Sequence, residues 1–493
     1  MKLWARLAMV LVPLGVVVAL PLAMRRDEEV APGPDVLRLE IITPHNETIQ
    51  REFGEAFATW YRENHGREVY VNWRVPGGTS EIKRVLDAGF AAAEAAGRVG
   101  MGIDLFFGGG SYDFSIQASE GRFQRLSIFE EQPELFAGEE PVIPQKLGGE
   151  TYYGENRDWL GVCLSSFGIV YNVDGIARLG VEPPRRWEDL TQPAYFGEIA
   201  LADPLKSGSV AKIFEMIIQE AMAEEVAAQG ENEESLATGW AKGLNRVRRI
   251  AANSRYFADG SAKIPHDVAQ GNAVAGMCID FYGRTFEEDK KGADGRSRLK
   301  FVVPEGGTSI SVDPVAILKG APNQKIAEEF VRFLFTEKGQ GLWNLEMGSE
   351  NGPKFRNLRR LPVRRDFYRP ENLARMTDAA VLPYEVAEKF TYRGDWTGSR
   401  FSPLRLIMGA MAIDSHEELK EAWEEMIAAG DLTEEAFFSL GEGGWPSVSY
   451  QAAGGRIRST MKGKDALATA RMKRELGEFF RSHYRQIAEQ SGK

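Results

Sequence analysis

Apolar and polar positions change rhythm along this chain in a regular order. Leu37 to Thr43 (LRLEIIT) reads as a strand, and Thr48 to Asn64 places Ile49, Phe53, Phe57 and Trp60/Tyr61 on one helical face. Val69 to Val75 alternates like a strand, a helix follows from Glu81, and Ile103 to Phe107 is a short apolar strand. This β-α-β-α-β rhythm predicts a parallel sheet covered by helices. A second α/β unit begins near Trp159. Its predicted strands are Leu160 to Tyr171, Glu198 to Ala202 and Ala273 to Phe281, followed by Arg298 to Val303 and Ser311 to Leu318. Helices are predicted from Val210, around Trp240 to Ala252, and over Gln324 to Trp343. From about Asp366 the pattern turns mainly helical, over Glu417 to Ala428, Thr433 to Leu440 and Ala466 to Gln490, with a loop of glycines and aromatics at Gly441 to Tyr450.

The first residues follow a different rule. Lys2 and Arg6 precede an apolar run from Leu7 to Met24, which Arg25 and Arg26 close. A basic start followed by an apolar stretch reads as an export signal. The run reaches the lower limit for a spanning helix, about 18 residues. Leu20-Pro21-Leu22-Ala23 is a poor cleavage site, and no cysteine lies nearby to carry a lipid. Residues 1–26 therefore read as an uncleaved membrane anchor, with a cleaved signal peptide as the alternative. Either way the body is exported, beyond a short tether from Asp27 to Pro34.

Composition narrows the classes. A chain of 493 residues suggests two to four domains, and 43% hydrophobic with 27% charged residues is a globular balance. The net charge of −11 argues against a nucleic-acid surface and against adsorption of the whole molecule to anionic lipid. Two cysteines, Cys163 and Cys278, sit inside apolar runs. Export permits a disulfide between them, and two buried thiols are the other reading. Of the five histidines (His45, His65, His266, His416 and His483), none stands in a Gly-x-Ser-x-Gly or His-Glu-x-x-His context. Gly108-Gly109-Gly110 lacks the Lys-Ser/Thr of a phosphate-binding loop. No catalytic motif is present, and an enzyme is not expected.

Four segments then point to one family. They are WLGVCLSSFGIVYN at Trp159 to Asn172, PPRRWEDLTQPAYFGEIALADPLKSGSV at Pro183 to Val210, GNAVAGMCIDFYGR at Gly271 to Arg284, and PEGGTSISVDPVAILKGAPN at Pro304 to Asn323 followed by EEFVRFLFTEKGQGLW. In order and spacing they resemble the bacterial extracellular solute-binding proteins of ABC transporters, family 1, in the ferric-ion-binding-like branch. That branch also takes sugar phosphates, phosphonates, polyamines and thiamine. The resemblance covers about Leu37 to Asp366. It implies a type II periplasmic-binding-protein fold: an α/β clamp of two lobes with hinge crossings, here with the N-terminal membrane segment and a helical C-terminal extension. The implied layout is lobe 1 over 37–145, lobe 2 over 154–285, a return to lobe 1 over 298–365, and the extension over 366–493. The implied partners are a small-molecule or ion ligand, an ABC permease and its ATPase, for a monomer on the periplasmic side of the inner membrane. No cofactor is expected, and ferric iron enters only as a candidate ligand; the alternative functions are the iron-binding protein of an iron importer and a membrane-anchored ligand sensor or scaffold.

In open α/β sheets, ligands sit where strand ends feed helix starts. Four such junctions here carry small polar residues: His45-Asn46, Gly77 to Ser80, Gly108 to Ser111, and Ser207 to Ser209. Glycine lets the backbone approach a ligand, and free N–H groups at a helix start favour an anion. The candidate contacts are His45, Asn46, Gly78, Thr79, Ser80, Gly109, Ser111, Ser207, Gly208 and Ser209, with Ser165 and Ser166 on the crossing strand. The plainer alternative makes the Ser and Thr residues ordinary N-caps. The ferric branch places a histidine where His45 stands and two adjacent tyrosines on the return strand. Here that place reads Asp280-Phe281-Tyr282. Iron(III) prefers hard oxygen donors, so one lost phenol favours an anionic organic solute over iron, with Asp280 and Tyr282 binding its hydroxyls; His45 and Tyr282 are the metal candidates if iron is bound. Asp313 is expected in a structural role, capping a lobe 1 helix, with lining the cleft as the alternative; the basic runs Arg359-Arg360 and Arg364-Arg365 are expected on a solvated surface, with contact to an anionic partner as the alternative.

Overall fold

The computed structural model describes residues 36–430, 432, 447–463 and 465–491. The apolar segment Leu7–Met24, the tether after it, the helix expected at Thr433–Leu440 and most of the Gly441–Tyr450 loop lie outside the described residues. Among the described residues no helix is long and apolar enough to cross a membrane.

Two sheets form the cores of two lobes. The first contains β1 (Leu37–Ile42), β2 (Val69–Arg74), β3 (Leu105–Phe107), β4 (Leu160–Ser165), β10 (Ser311–Ile317) and β11 (Leu361–Pro362), in the order β11-β4-β10-β3-β1-β2. The second contains β5 (Phe167–Asn172), β6 (Ile199–Ala202), β7 (Ser254–Ala258), β8 (Ala275–Ile279) and β9 (Leu299–Val302), in the order β9-β5-β8-β6-β7. In the first sheet β1, β2 and β3 are parallel, and β10 runs antiparallel to both β3 and β4. In the second, β8, β6 and β7 are parallel while β5 is antiparallel to its neighbours. The helices that cover lobe 1 include α1 (Glu47–His65), α2 (Thr79–Ala95) and α3 (Ser111–Ser119). Lobe 2 carries α4 (Gly208–Gln229), α5 (Glu233–Ala252) and α6 (Asp280–Asp289).

The strand expected over Leu160–Tyr171 is two strands, broken at Ser166. Leu164 pairs in the first sheet and Phe167 in the second, so the chain changes lobes there. This corrects the expected layout: Leu160–Ser165 belongs to lobe 1 and Leu299–Val302 to lobe 2, because strand pairing decides membership. The chain returns through residues 303–310, and Ile310 already packs in the lobe 1 core. The helix expected over Gln324–Trp343 is likewise two, α7 (Gln324–Leu334) and α8 (Glu337–Asn344), interrupted where Thr336 caps the second.

The extension does not form a separate body. Ala387 packs in the lobe 1 core, whereas Phe390 and Trp396 pack in the lobe 2 core, so the chain crosses a third time. Beyond it, α9 (Phe401–Met408), α10 (His416–Ala429) and α11 (Ala466–Ser491) lie against lobe 2. Buried indoles fasten this layer: Trp423 Nε1 donates to Asn253 Oδ1 at 2.8 Å, and Trp240 Nε1 to the Val448 carbonyl at 2.9 Å. Cys163 and Cys278 are buried and unbonded.

Candidate functional site

A cavity of about 710 Å³ lies between the lobes. Of the residues anticipated from sequence, all but Ser80, Ser166 and Asp280 line it. Those three are held elsewhere. Asp280 is fully buried, and its carboxylate accepts from Ser166 N and Oγ, both at 3.1 Å, and from Phe281 N at 2.8 Å. It therefore ties the first hinge crossing to the start of α6 rather than reaching into the cleft. Burial raises its carboxyl pKa, with Arg284 and Arg360 opposing. Ser80 Oγ meets the Leu205 carbonyl at 3.4 Å and accepts from Arg405 at 2.8 Å.

The helix starts divide into two kinds. Asn46 Oδ1 accepts from Ile49 N at 3.1 Å, and Ser207 Oγ from Val210 N at 3.4 Å, so these two side chains are caps. The starts of α2 at Gly78 and α3 at Gly110 have no side-chain cap. Their first turns contribute Thr79, Ser111, Tyr112 and Asp113 to the cavity wall. Such a turn presents backbone N–H groups and the positive end of the helix dipole.

Deeper in lobe 1 is a charged cluster that sequence reasoning did not assemble. Arg360, expected on a solvated surface, is 1% exposed. Its Nη1 lies 2.6 Å from Asp313 Oδ2, and its Nη2 donates to Ser165 Oγ at 2.6 Å. Asp313, expected in a structural role, lines the cavity as well. The reason is a register shift between Asp313 and Pro314: proline has no N–H for the ladder, and β10 bulges there. His45 Nε2 stands 3.4 Å from both Asp313 Oδ2 and Arg360 Nη1. Gly108 permits this, since with φ +89° a Cβ there would meet the His45 ring at 2.5 Å. Burial lowers the His45 pKa and keeps the ring neutral. Burial would raise the Asp313 carboxyl, but Arg360 and His45 overcome it and hold it down to about 2. Arg360 Nε and His45 Nδ1, both buried, have no hydrogen-bond partner among the described residues.

Arg360 is positioned from a distance. On α1, Glu52 is 2% exposed, and its carboxylate accepts from three consecutive amides: Lys354 N at 2.7 Å, Phe355 N at 2.5 Å and Arg356 N at 2.8 Å. The segment leading to Arg360 is pinned to the helix that begins beside His45.

A second cluster joins both lobes and the extension. Lys212 on α4 is 3.0 Å from Glu150 of lobe 1 and 3.1 Å from Glu215. Its ammonium lies 3.3 Å from the Tyr392 ring centroid. Burial disfavours the Lys212 charge, but the two carboxylates outweigh it and raise its pKa. Tyr392, Gly398, Phe401 and Arg405 bring the extension into the cavity wall. The resemblance stopped at Asp366 and gave no reason to look for them there.

Residues 99–358, just over half of the chain, match the family described as bacterial extracellular solute-binding protein. The chain belongs to that family. This solute-binding protein is 27% identical over 265 residues to an uncharacterised protein of Haemophilus influenzae, a span of 54% of this chain and 67% of the relative. It is 23% identical over 217 residues to the phosphoglycerate transport regulatory protein PgtC of Salmonella typhimurium, covering 44% of this chain and 46% of PgtC, so the match spans about half of that relative. Its fold is similar to that of the periplasmic binding protein AfuA from Actinobacillus pleuropneumoniae, solved with fructose 6-phosphate bound. The TM-score is 0.52 at 17% identity, over 76% of this chain and 98% of AfuA. The family match ends before Arg360 and before the whole extension.

Proposed function

We propose that this protein is the extracytoplasmic capture component of an ABC importer and that its cleft takes a small phosphorylated or phosphonate-like organic anion. The observation that carries this reading is the Arg360 guanidinium on the wall of a cavity that also receives the uncapped starts of α2 and α3. A buried guanidinium and aligned N–H groups recognise phosphate oxygens by shape and charge together. The neutral His45, Ser111, Ser209 and Tyr282 are suited to a solute's hydroxyl groups. AfuA holds a sugar phosphate and PgtC is named for phosphoglycerate, which agrees with this choice. The segment Leu7–Met24 exports the protein or anchors it outside the membrane.

Ferric iron suits the cavity less well. Asp313 is already neutralised by a permanent cation 2.6 Å away, and Phe281 stands where a second phenol would be needed. Burial also raises the Tyr282 phenol, which works against a phenolate. A sensor reading is favoured by one observation, that PgtC is named a regulatory protein, and it uses the same cleft.

Calorimetric titration with fructose 6-phosphate, 3-phosphoglycerate, methylphosphonate and ferric citrate tests the reading. A solute at a hundred times its Kd adds about 2.7 kcal/mol of stability and shifts the thermal midpoint. Binding of iron alone, with a phenolate colour, overturns it.

A further inference from the structure

The helix α9 belongs to lobe 2 by packing, since Leu404, Leu406, Ile407 and Met408 are buried in that core. Arg405 fastens it there, donating from Nε to the Pro204 carbonyl and from Nη2 to the Leu205 carbonyl, both at 2.8 Å. The same helix reaches across the cleft mouth to lobe 1. Arg405 Nη2 donates to Ser80 Oγ at the start of α2 at 2.8 Å. Ser402 Oγ and Tyr112 Oη, at the start of α3, are 2.8 Å apart, and the Phe401 and Tyr112 rings stand 4.6 Å apart. Just before α9, Tyr392 N donates to the Gly148 carbonyl of lobe 1 at 2.8 Å, while its hydroxyl donates to Glu215 of lobe 2 at 2.9 Å. Phe401, Arg405 and Tyr392 also face the cavity.

The geometry points to a role for the extension that a clamp of two lobes does not require. It is the third wall of the solute site, and Arg405 and Ser402 are positioning residues that hold lobe 1 when the cleft is shut. Any opening that parts the lobes must break the Arg405–Ser80 and Ser402–Tyr112 contacts, because α9 travels with lobe 2. These contacts therefore favour the shut form before solute arrives and slow its escape afterwards. This inference rests on the cleft assigned above, but not on which solute fills it.

Two readouts on the full chain test it, using Tyr112→Phe, Ser402→Ala and Arg405→Gln. Tyr112→Phe keeps the ring and removes one hydroxyl, so it does not threaten folding. The first readout needs no solute. Spin labels at Arg84→Cys on lobe 1 and Lys263→Cys on lobe 2, both exposed, report the distance across the cleft. The unaltered protein should give mainly the short distance, and each variant should move population to a longer one. The second is release of a bound sugar phosphate by stopped flow. Arg405→Gln should release it about tenfold faster, as loss of a charge-assisted hydrogen bond implies. Association should change by less than about twofold, and Ser402→Thr should restore the Ser402→Ala defect. An unchanged distance distribution in all three variants overturns the inference, whether or not a phosphorylated solute binds. Unchanged release rates in a protein that does bind one also overturn it, and leave the solute assignment standing.

Discussion

Arg360 Nη1 lies 2.6 Å from the Asp313 carboxylate, and both groups border the interlobe cavity. One buried charge is cancelled by this contact, and Nε of the same guanidinium is buried with no hydrogen-bond partner among the described residues. Arg360→Lys keeps the charge but loses the planar fork and Nε. It should weaken binding of a phosphorylated solute by more than about tenfold while the thermal midpoint moves little. Arg360→Met strands Asp313 and should cost about 3–5 kcal/mol of stability. Calorimetry and denaturant unfolding separate the two effects; equal affinity in Arg360→Lys would remove Arg360 from the site.

Asp280 works at the hinge. Asp280→Ala leaves three buried donors on Ser166 and Phe281 without their acceptor. The expected loss is about 2–4 kcal/mol in denaturant unfolding, on the scale of unmade buried hydrogen bonds. Among molecules still folded, solute affinity should fall far less than in Arg360→Lys. A loss of affinity without loss of stability would return Asp280 to the cleft.

Gly208 of lobe 2 stands against Thr79 at the start of α2. A Cβ there would lie 3.0 Å from Thr79 Oγ1, and the backbone does not need glycine's left-handed region. Gly208→Val should fold with an ordinary midpoint yet lose most solute binding, because its methyls hold the two helix starts apart. Retained affinity in a titration would show that these starts do not meet around the ligand.

His483 on α11 gives the extension its own acid sensitivity. Burial, with Arg248 adding to it, lowers its pKa from 6.5 to about 3. Between those values the unfolded chain takes up a proton that the folded chain refuses. Stability at this position therefore falls as pH falls, by about 1.4 kcal/mol per pH unit. Unfolding of His483→Leu and the unaltered protein from pH 7 to 4 should show the difference narrowing or reversing toward acid. Parallel pH profiles would mean that His483 titrates normally.

Val69–Arg74 was legible by its alternation, the fully buried strands of both lobes by their short apolar runs, and helices such as α1 by apolar residues recurring on one face. The edge strand Ser254–Ala258 (SRYFA) was not, since an edge tolerates polar residues that blur the alternation. The crossing at Ser166 was hidden inside one unbroken apolar run, because the strands on both sides are buried. In the site, glycines and hydroxyls at helix starts announced themselves by residue type. Arg360 did not: a pair of arginines carries the same pattern whether it faces water or a cavity. One signal was available for Lys212, a lone cation among Val210, Ala211, Ile213 and Phe214, which are all buried.

Glu52 has a consequence of its own. It does not line the interlobe cavity, yet its three amide contacts fix the path of the chain toward Arg360. Loss of that one carboxylate would detune a receptor whose every binding residue is intact. Variants of poor affinity in this protein should therefore map to the far side of lobe 1 as well as to the cleft, and selection for a new solute has a handle there that leaves the lining unaltered.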